Sequence, residues 1–129
     1  MKRSNIIGRI PTTEIKKDMR HIERTEGMKF KKRPTFSYTS KGSEDSPARN
    51  TVRRSVTGDK IKVTSARVQV NRKFAASYQQ PFVDAIVAHE LRENLYYQHG
   101  LDRKKNAPNV HYKAQRWINK DERWAKRML

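Results

Sequence analysis

Three residues inside an apolar segment have the types and spacing of a metal-dependent hydrolytic site. The segment runs from residue 83 to 95 and contains His89 and Glu90 side by side, followed by Glu93. In a helix, residues four apart point the same way from adjacent turns, so His89 and Glu93 could hold one divalent ion between them. Glu90, directly after the first donor, has the position of a general base acting on water.

Glu90 also needs a partner of its own. At about 100° per residue, Glu90 falls near the middle of the apolar face of this helix, while His89 and Glu93 lie along one flank. An unpaired carboxylate on a buried face is strongly destabilising. We therefore expect a cation, a hydrogen-bond network or the water of a metal site beside Glu90. The residues of the apolar face are Phe82, Val83, Ile86, Val87 and Leu91.

The pattern His89-Glu90-x-x-Glu93 resembles the H-E-x-x-H helix of the zincin metallopeptidases, in which two histidines bind zinc and the glutamate acts as general base. This sequence departs from that motif because Glu93 stands at the place of the second histidine. A carboxylate is an acceptable zinc ligand, although the site becomes harder and less selective for zinc. The resemblance implies that His89, Glu93 and one residue of a later helix bind the metal, with Glu90 as base.

Other features extend the resemblance over residues 67–125. The strand-like segment 67–71 precedes the helix, as a strand precedes the active helix of zincins. The H-E-x-x-E form, followed by Gly100, a His111-x-x-Ala segment and a later Glu122, is similar to small zincin-like proteins encoded by bacteriophages.

A second predicted helix, from Asn109 as N-cap to about Lys126, can supply the third ligand. His111 and Glu122 lie on one continuous face of it, but they are roughly 16 Å apart along the axis and cannot easily share one ion. We prefer His111, because imidazole is the commoner zinc donor. Glu122 would then orient a ligand or form a salt bridge. The face comprises His111, Ala114, Ile118, Glu122 and Ala125.

The same side chains allow a different interpretation. His89, Glu90 and Glu93 could form a buried polar network that only fixes how the two helices pack. The partners in that network would be Arg92, Arg116 or Tyr97.

The elements that must position the helix pair can be predicted from periodicity and turn residues. Pro34 favours an edge strand or extended arm over 28–38, Gly58-Asp59 favours a hairpin turn, and Gly100 is a stop signal. The predicted elements are a short helix near 13–24, the extended segment 28–38, a linker over 40–50, hairpin strands over 51–57 and 60–70, and helices over 80–99 and 109–126.

The predicted fold class is α+β: a basic N-terminal arm with a short helix, a small antiparallel β layer, and two packed C-terminal helices, zincin-like in arrangement. The arm with its linker covers residues 1–50 and the α+β domain residues 51–129. Most core-forming residues are expected after residue 75, because the first part is more basic and poorer in apolar clusters.

The charge predicts a polyanionic partner. Lys and Arg number 30 against 13 Asp and Glu, for a net charge of +17. Such a charge attracts phosphate-rich partners through counterion release, and basic residues interleaved with aromatics suit nucleic acid read without sequence specificity. A membrane-surface partner is disfavoured, because no segment of the sequence predicts a basic helix with a broad apolar face. The predicted nucleic-acid-binding residues are Lys29, Lys31, Lys32, Arg33, Arg53, Arg54, Arg72 and Lys73.

Two functional hypotheses follow. In the first, the protein is a basic, phage-encoded, zincin-like zinc protein, either a weak metallohydrolase or a degenerate relative. In the second, it is a non-catalytic virion, structural or nucleic-acid-associated protein that binds phosphate backbone. The chain has no cysteine, which excludes disulfides and thiolate metal ligands. With no apolar stretch that would serve as a signal peptide, the expected location is the host cytoplasm or a virion, not a secreted state.

Overall fold

Three strands form one sheet, and helices precede and follow these strands in the sequence. A computed structural model describes residues 12–40, 48–77, 80–103 and 109–114. Within these residues the elements are α1 (Thr12–Glu26), β1 (Thr35–Thr39), β2 (Ala48–Thr57), β3 (Lys60–Asn71), α2 (Arg72–Ser77) and α3 (Gln80–Gln98). Residues 110–114 are helical and are called α4 here.

The sheet is mixed, with the strand order β1-β3-β2. The predicted hairpin is confirmed: β2 and β3 pair antiparallel across a turn in which Gly58 has φ 61°. The prediction of a purely antiparallel layer is wrong, because β1 pairs with β3 in parallel. This pairing places Phe36 and Tyr38 beside Val68 and Val70, where their rings extend the apolar side of the sheet. The linker prediction is also wrong for residues 48–50, which begin β2.

A bulge in β3 decides which side chains face α3. Arg53 pairs with Ser65 and Arg54 pairs with Val63, so Thr64 is an extra residue on β3. Before the bulge, odd-numbered residues of β3 are the more buried ones; after it, even-numbered residues are buried. We call the side of the sheet that packs on α3 the inner face and the opposite side the outer face. The inner-face residues of β3 are Ile61, Val63, Ala66, Val68 and Val70.

The core lies between the inner face and the helices α1 and α3. It draws on both parts of the chain, which corrects the expectation that most of it follows residue 75. The apolar positions of α1, spaced by four and three, are buried in it together with those of α3. The members of this cluster are Ile15, Met19, Ile22, Phe30, Val68, Val70, Phe74, Ala75, Val83, Val87, Leu91 and Leu95.

The central helix α3 is buried on more sides than the sequence predicts. Residues 91–96 are all buried, including Arg92 and Asn94, so these polar groups make specific bonds. The amide of Asn94 donates to the carbonyls of Thr51 and Arg67 at 3.2 and 3.3 Å, which fastens α3 to both hairpin strands. Arg92 donates to Thr25 at 3.0 Å on the α1 side.

The predicted end of α3 is confirmed. Gly100 has φ 69°, a left-handed conformation, and Leu101 N–H donates to the Tyr96 carbonyl at 3.0 Å. Both features are typical of a glycine-terminated helix. Within the described part of the chain, no helix combines the length and apolar character needed to cross a membrane.

Candidate metal centre

Three donor atoms from α3 and α4 converge on one point. Nε2 of His89 lies 3.2 Å from Oε1 of Glu93 and 3.2 Å from Nδ1 of His111. Nδ1 of His111 lies 3.0 Å from the same Glu93 oxygen. Each ring nitrogen carries at most one hydrogen, so hydrogen bonding can satisfy this triangle only in part. Three lone-pair donors within reach of a single point can hold a metal ion.

The triangle has nearly the dimensions of one face of a zinc coordination tetrahedron. Zinc bonds to imidazole nitrogen and carboxylate oxygen are about 2.0–2.2 Å long, which separates tetrahedral donors by about 3.4 Å. The three observed separations are 3.0–3.2 Å. An ion would therefore require only a small outward movement of the side chains.

The triangle of donor atoms is buried on the side of His89 and Glu93 and accessible on the side of His111. The side chains of His89 and Glu93 are 7% and 10% exposed, whereas that of His111 is 60% exposed. Three protein ligands with one accessible position are typical of catalytic rather than structural zinc sites. The predicted order of burial is reversed, because Glu90 is the half-buried residue and its two neighbours in the motif are the buried ones. Contacts of α4 with α3 cover the flank that the sequence leaves open.

Asn50 on the inner face of β2 ties together the two carboxylates of the motif. Its Nδ2 donates to Oε2 of Glu90 at 2.6 Å and to Oε2 of Glu93 at 3.0 Å. Glu93 thus directs one oxygen to the histidines and the other to the sheet. Glu90 obtains the partner that its position demands, and that partner is a neutral amide.

The two carboxyl groups have pKa values shifted in opposite directions. Burial raises the pKa of Glu90, the Asn50 hydrogen bond opposes this, and the charge of Glu93 adds to the rise. Burial also disfavours the ionised form of Glu93, but hydrogen bonds and positive charge from His89 and His111 outweigh it and hold the pKa of Glu93 below its ordinary value. An ionised Glu93 is the form that a metal ligand requires.

The start of α4 places His111. Asn109 accepts hydrogen bonds from the N–H groups of His111 and Tyr112 at 3.0 and 3.4 Å, which confirms the predicted N-cap. Behind it, Val110 and Ala114 pack against Tyr96 of α3. The cap and this small apolar contact direct the His111 ring at the motif on α3.

The two described members of the alternative packing network, Arg92 and Tyr97, differ in their relation to the motif. Arg92 turns to α1, where its Nε lies 3.5 Å from Glu26. Tyr97 stays near the motif, where burial raises the pKa of its hydroxyl and the charges of Glu93, Asp102 and Glu90 add to the rise. Its carbonyl accepts a hydrogen bond from Arg54. Glu122 and Arg116 lie outside the described residues.

Asn50 is the site residue that the sequence analysis missed. It falls within the segment interpreted as a linker, and its contacts bridge 40 and 43 positions of sequence. One signal was available: Ala48, Asn50 and Val52 continue the alternation of β2, so extending the strand backwards puts Asn50 on the inner face.

A cleft of about 410 Å³ lies beside Asn50 and β2. Arg54 forms a two-point ion pair across it, with Nη1 2.7 Å from Oδ1 and Nη2 2.6 Å from Oδ2 of Asp102. The residues that line the cleft are Asn50, Thr51, Val52, Arg54, Tyr97 and Asp102.

The predicted nucleic-acid-binding residues occupy four different places. Arg54 lies on the inner face and binds Asp102, whereas Arg53 is exposed on the outer face. Four basic residues follow α1, and two of their side chains reach carbonyls of β3: Lys31 reaches Ile61 at 3.3 Å and Lys32 reaches Thr64 at 3.1 Å. The remaining members of the predicted set, all exposed, are Lys29 and Arg33 after α1 and Arg72 and Lys73 in α2.

No protein-family model matches the chain, and comparison with curated proteins and with solved structures finds no match.

Proposed function

We propose that this protein is a zincin-like metallohydrolase that binds one zinc ion through His89, Glu93 and His111 and uses Glu90 as general base. The observation that carries the proposal is the convergence of three donor atoms at 3.0–3.2 Å from one another. Hydrogen bonds to Glu93 can account for two sides of the triangle. They do not account for the 3.2 Å approach of Nε2 of His89 to Nδ1 of His111, because both nitrogens would then carry hydrogens.

The donor set favours zinc among the common metals. Two imidazoles and one carboxylate are the ligands of several hydrolytic zinc sites, whereas calcium and magnesium prefer oxygen donors throughout. When bound, zinc supplies Lewis-acid chemistry, polarising a carbonyl or phosphoryl oxygen and making water more acidic.

The remaining steps belong to the protein's own groups. Asn50 holds Oε2 of Glu90 and so fixes the direction of the carboxylate. The other oxygen, Oε1, can take up a proton from water and return it to a leaving group. The exposed side of His111 gives substrate access, and the cleft beside Asn50 offers space for it.

Metal content is the first test. We expect elemental analysis of the purified protein to find about one zinc ion per chain, and the His89→Ala variant to lose it. His99→Ala is the matched control, because His99 donates to the Lys29 carbonyl at 2.6 Å, remote in its contacts from the cluster. No zinc in wild-type protein, even after loading, would reduce the cluster to a packing network.

Activity is tested separately with Glu90→Gln. This variant should bind zinc as wild type does, because Glu90 is not a ligand, and should lose hydrolysis in a peptidase screen. If Glu90→Gln retains full activity on a substrate that wild type cleaves, Glu90 is not the general base.

A further inference from the structure

The outer face of the sheet presents five basic side chains that the metal centre does not use. Because alternate residues of a strand point to opposite faces, and the inner face is occupied by α3, these side chains project away from the helices. Each of them is exposed. They are Arg49 and Arg53 of β2 and Lys60, Lys62 and Arg67 of β3.

Their arrangement in the sheet is regular. Directly across the hairpin, every one of the five faces a hydroxyl or amide residue, so no two like charges are paired. Arg67 pairs with Thr51, which lies midway between Arg49 and Arg53 on β2. Arg67 is therefore displaced from each of these two arginines by about 7 Å along the strand direction and about 5 Å across the strands. The cross-strand pairs are Arg49 with Gln69, Thr51 with Arg67, Arg53 with Ser65, Ser55 with Lys62, and Thr57 with Lys60.

Nothing within the strands neutralises this charge. The residues of β1, β2 and β3 include no aspartate or glutamate, and on the side of β1 the face continues with Thr35 and Ser37. Guanidinium and ammonium groups interleaved with hydroxyl donors are the groups that contact phosphate oxygens of nucleic acids.

We propose that the outer face of the sheet binds the phosphate backbone of nucleic acid without reading its sequence. The five basic side chains make the phosphate contacts and the serine and threonine hydroxyls between them donate to phosphate oxygens. The face carries no apolar side chain that would insert into a lipid surface, because Val and Ile residues of the hairpin occupy the inner face.

The basic face and the metal centre are on opposite sides of the same strand. Asn50 points inward to Glu90 and Glu93, whereas its neighbours Arg49 and Thr51 point outward. Nucleic acid held on the outer face therefore leaves the metal centre accessible, and its binding does not depend on metal.

The test compares two variants with the same loss of charge. One is the triple variant Arg49→Gln, Arg53→Gln and Arg67→Gln; the other replaces Lys16, Arg20 and Arg24, three exposed residues of α1, by Gln. Binding of a short fluorescein-labelled DNA duplex of random sequence is measured by anisotropy over a series of salt concentrations. Zinc binding and the unfolding midpoint are measured on the same samples.

For the sheet variant we expect the slope of log K against log salt to become shallower by about 2.7, at about 0.9 per lost phosphate contact. The α1 variant should keep nearly the wild-type slope, and both variants should keep zinc and fold. Equal losses in the two variants would show that only net charge matters and would overturn the proposal. Wild-type binding to anionic phospholipid vesicles but not to DNA would overturn it in favour of a membrane surface.

Discussion

One side chain, Asn50, determines how the carboxylates of Glu90 and Glu93 coexist on α3. Glu90 and Glu93 are three residues apart on a helix, and their charges raise the cost of ionising both. The Asn50 amide bonds to one oxygen of each, which brings them together without adding a charge. Asn50 therefore acts on the proposed ligand Glu93 and on the proposed base Glu90 from a different element.

Asn50→Ala should weaken zinc binding by about 10- to 100-fold, the usual effect of removing a group that orients a metal ligand. The measurement is zinc competition with a chromogenic chelator. Ser55→Ala is the control, because Ser55 lies on the same strand, points to the outer face and is not among the residues that line the cleft. Equal zinc affinity in wild type and Asn50→Ala would show that the ligands are held without the sheet.

Arg54 and Asp102 give a residue-scale prediction for acid stability. The hydrogen bonds from Arg54 lower the pKa of Asp102, so the pair stabilises the folded state above the ordinary aspartate pKa of about 3.9 and its contribution is lost as pH falls through the lowered pKa. Asp102→Asn should therefore be less stable than wild type by about 1 kcal/mol near neutral pH, a figure reduced for partial exposure.

Urea unfolding of both proteins at neutral and strongly acidic pH checks this. The difference in free energy of unfolding should shrink toward zero at the acidic end. A difference that stays constant over the whole pH range would mean that Asp102 contributes through packing and not through its charge.

At the scale of elements, two glycines with left-handed backbone conformation allow the cost of backbone strain to be distinguished from the cost of a side-chain clash. Gly58 has open space around an added Cβ, whereas a Cβ on Gly100 would clash with the Ile61 side chain. Both Gly→Ala variants should lose about 1 kcal/mol from backbone strain. Gly100→Ala should lose more, because Ile61 must also move.

The free energies of unfolding of Gly58→Ala and Gly100→Ala, measured side by side in urea, test that difference. Adding Ile61→Val to each variant should recover part of the loss only in the Gly100→Ala background. Identical losses in the two single variants would mean that the end of α3 adjusts to the added methyl group without cost.

Elements with local signals were predictable from the sequence, and long-range pairings were not. The apolar spacing of α1, the Gly58-Asp59 turn, the Gly100 stop and the Asn109 cap all act within a few residues, and the structure has each of them. The parallel pairing of β1 with β3 joins residues 32 positions apart, so no local pattern reveals it. The same limit applies to Asn50, which meets the motif only through the sheet.

In the candidate site, too, local features were predictable from the sequence and long-range contacts were not. The spacing of four between His89 and Glu93 is a property of one helix, and His111 was preferred as the third ligand because imidazole is the commoner zinc donor. Which carboxylate is buried depended on how α4 and β2 cover α3, and there the helical-wheel prediction was wrong.

For the molecule as a whole, the net charge of +17 makes stability depend on salt. Screening of mutual repulsion should raise the melting temperature as salt increases from low to physiological concentration, where the screening length is about 8 Å. The Arg49, Arg53, Arg67 triple glutamine variant should show a weaker rise, because it removes three charges from one face. Thermal unfolding monitored by circular dichroism checks both expectations; a melting temperature that falls with salt would indicate that ion pairs dominate.

The extra residue in β3 has a consequence for how this chain can change in length. Arg53 and Arg54 are adjacent on β2, but their partners Ser65 and Val63 on β3 are separated by Thr64. Deleting Thr64 would make these partners adjacent as well, and every existing cross-strand pair would be kept. Elsewhere in the strand, gain or loss of one residue would reverse the direction of the side chains beyond that point, so that lysine would point to the buried side in place of valine. Over evolutionary time β3 can therefore lose one residue at Thr64 without changing which side chains are buried, whereas the loss of one residue elsewhere within its paired part needs a compensating change.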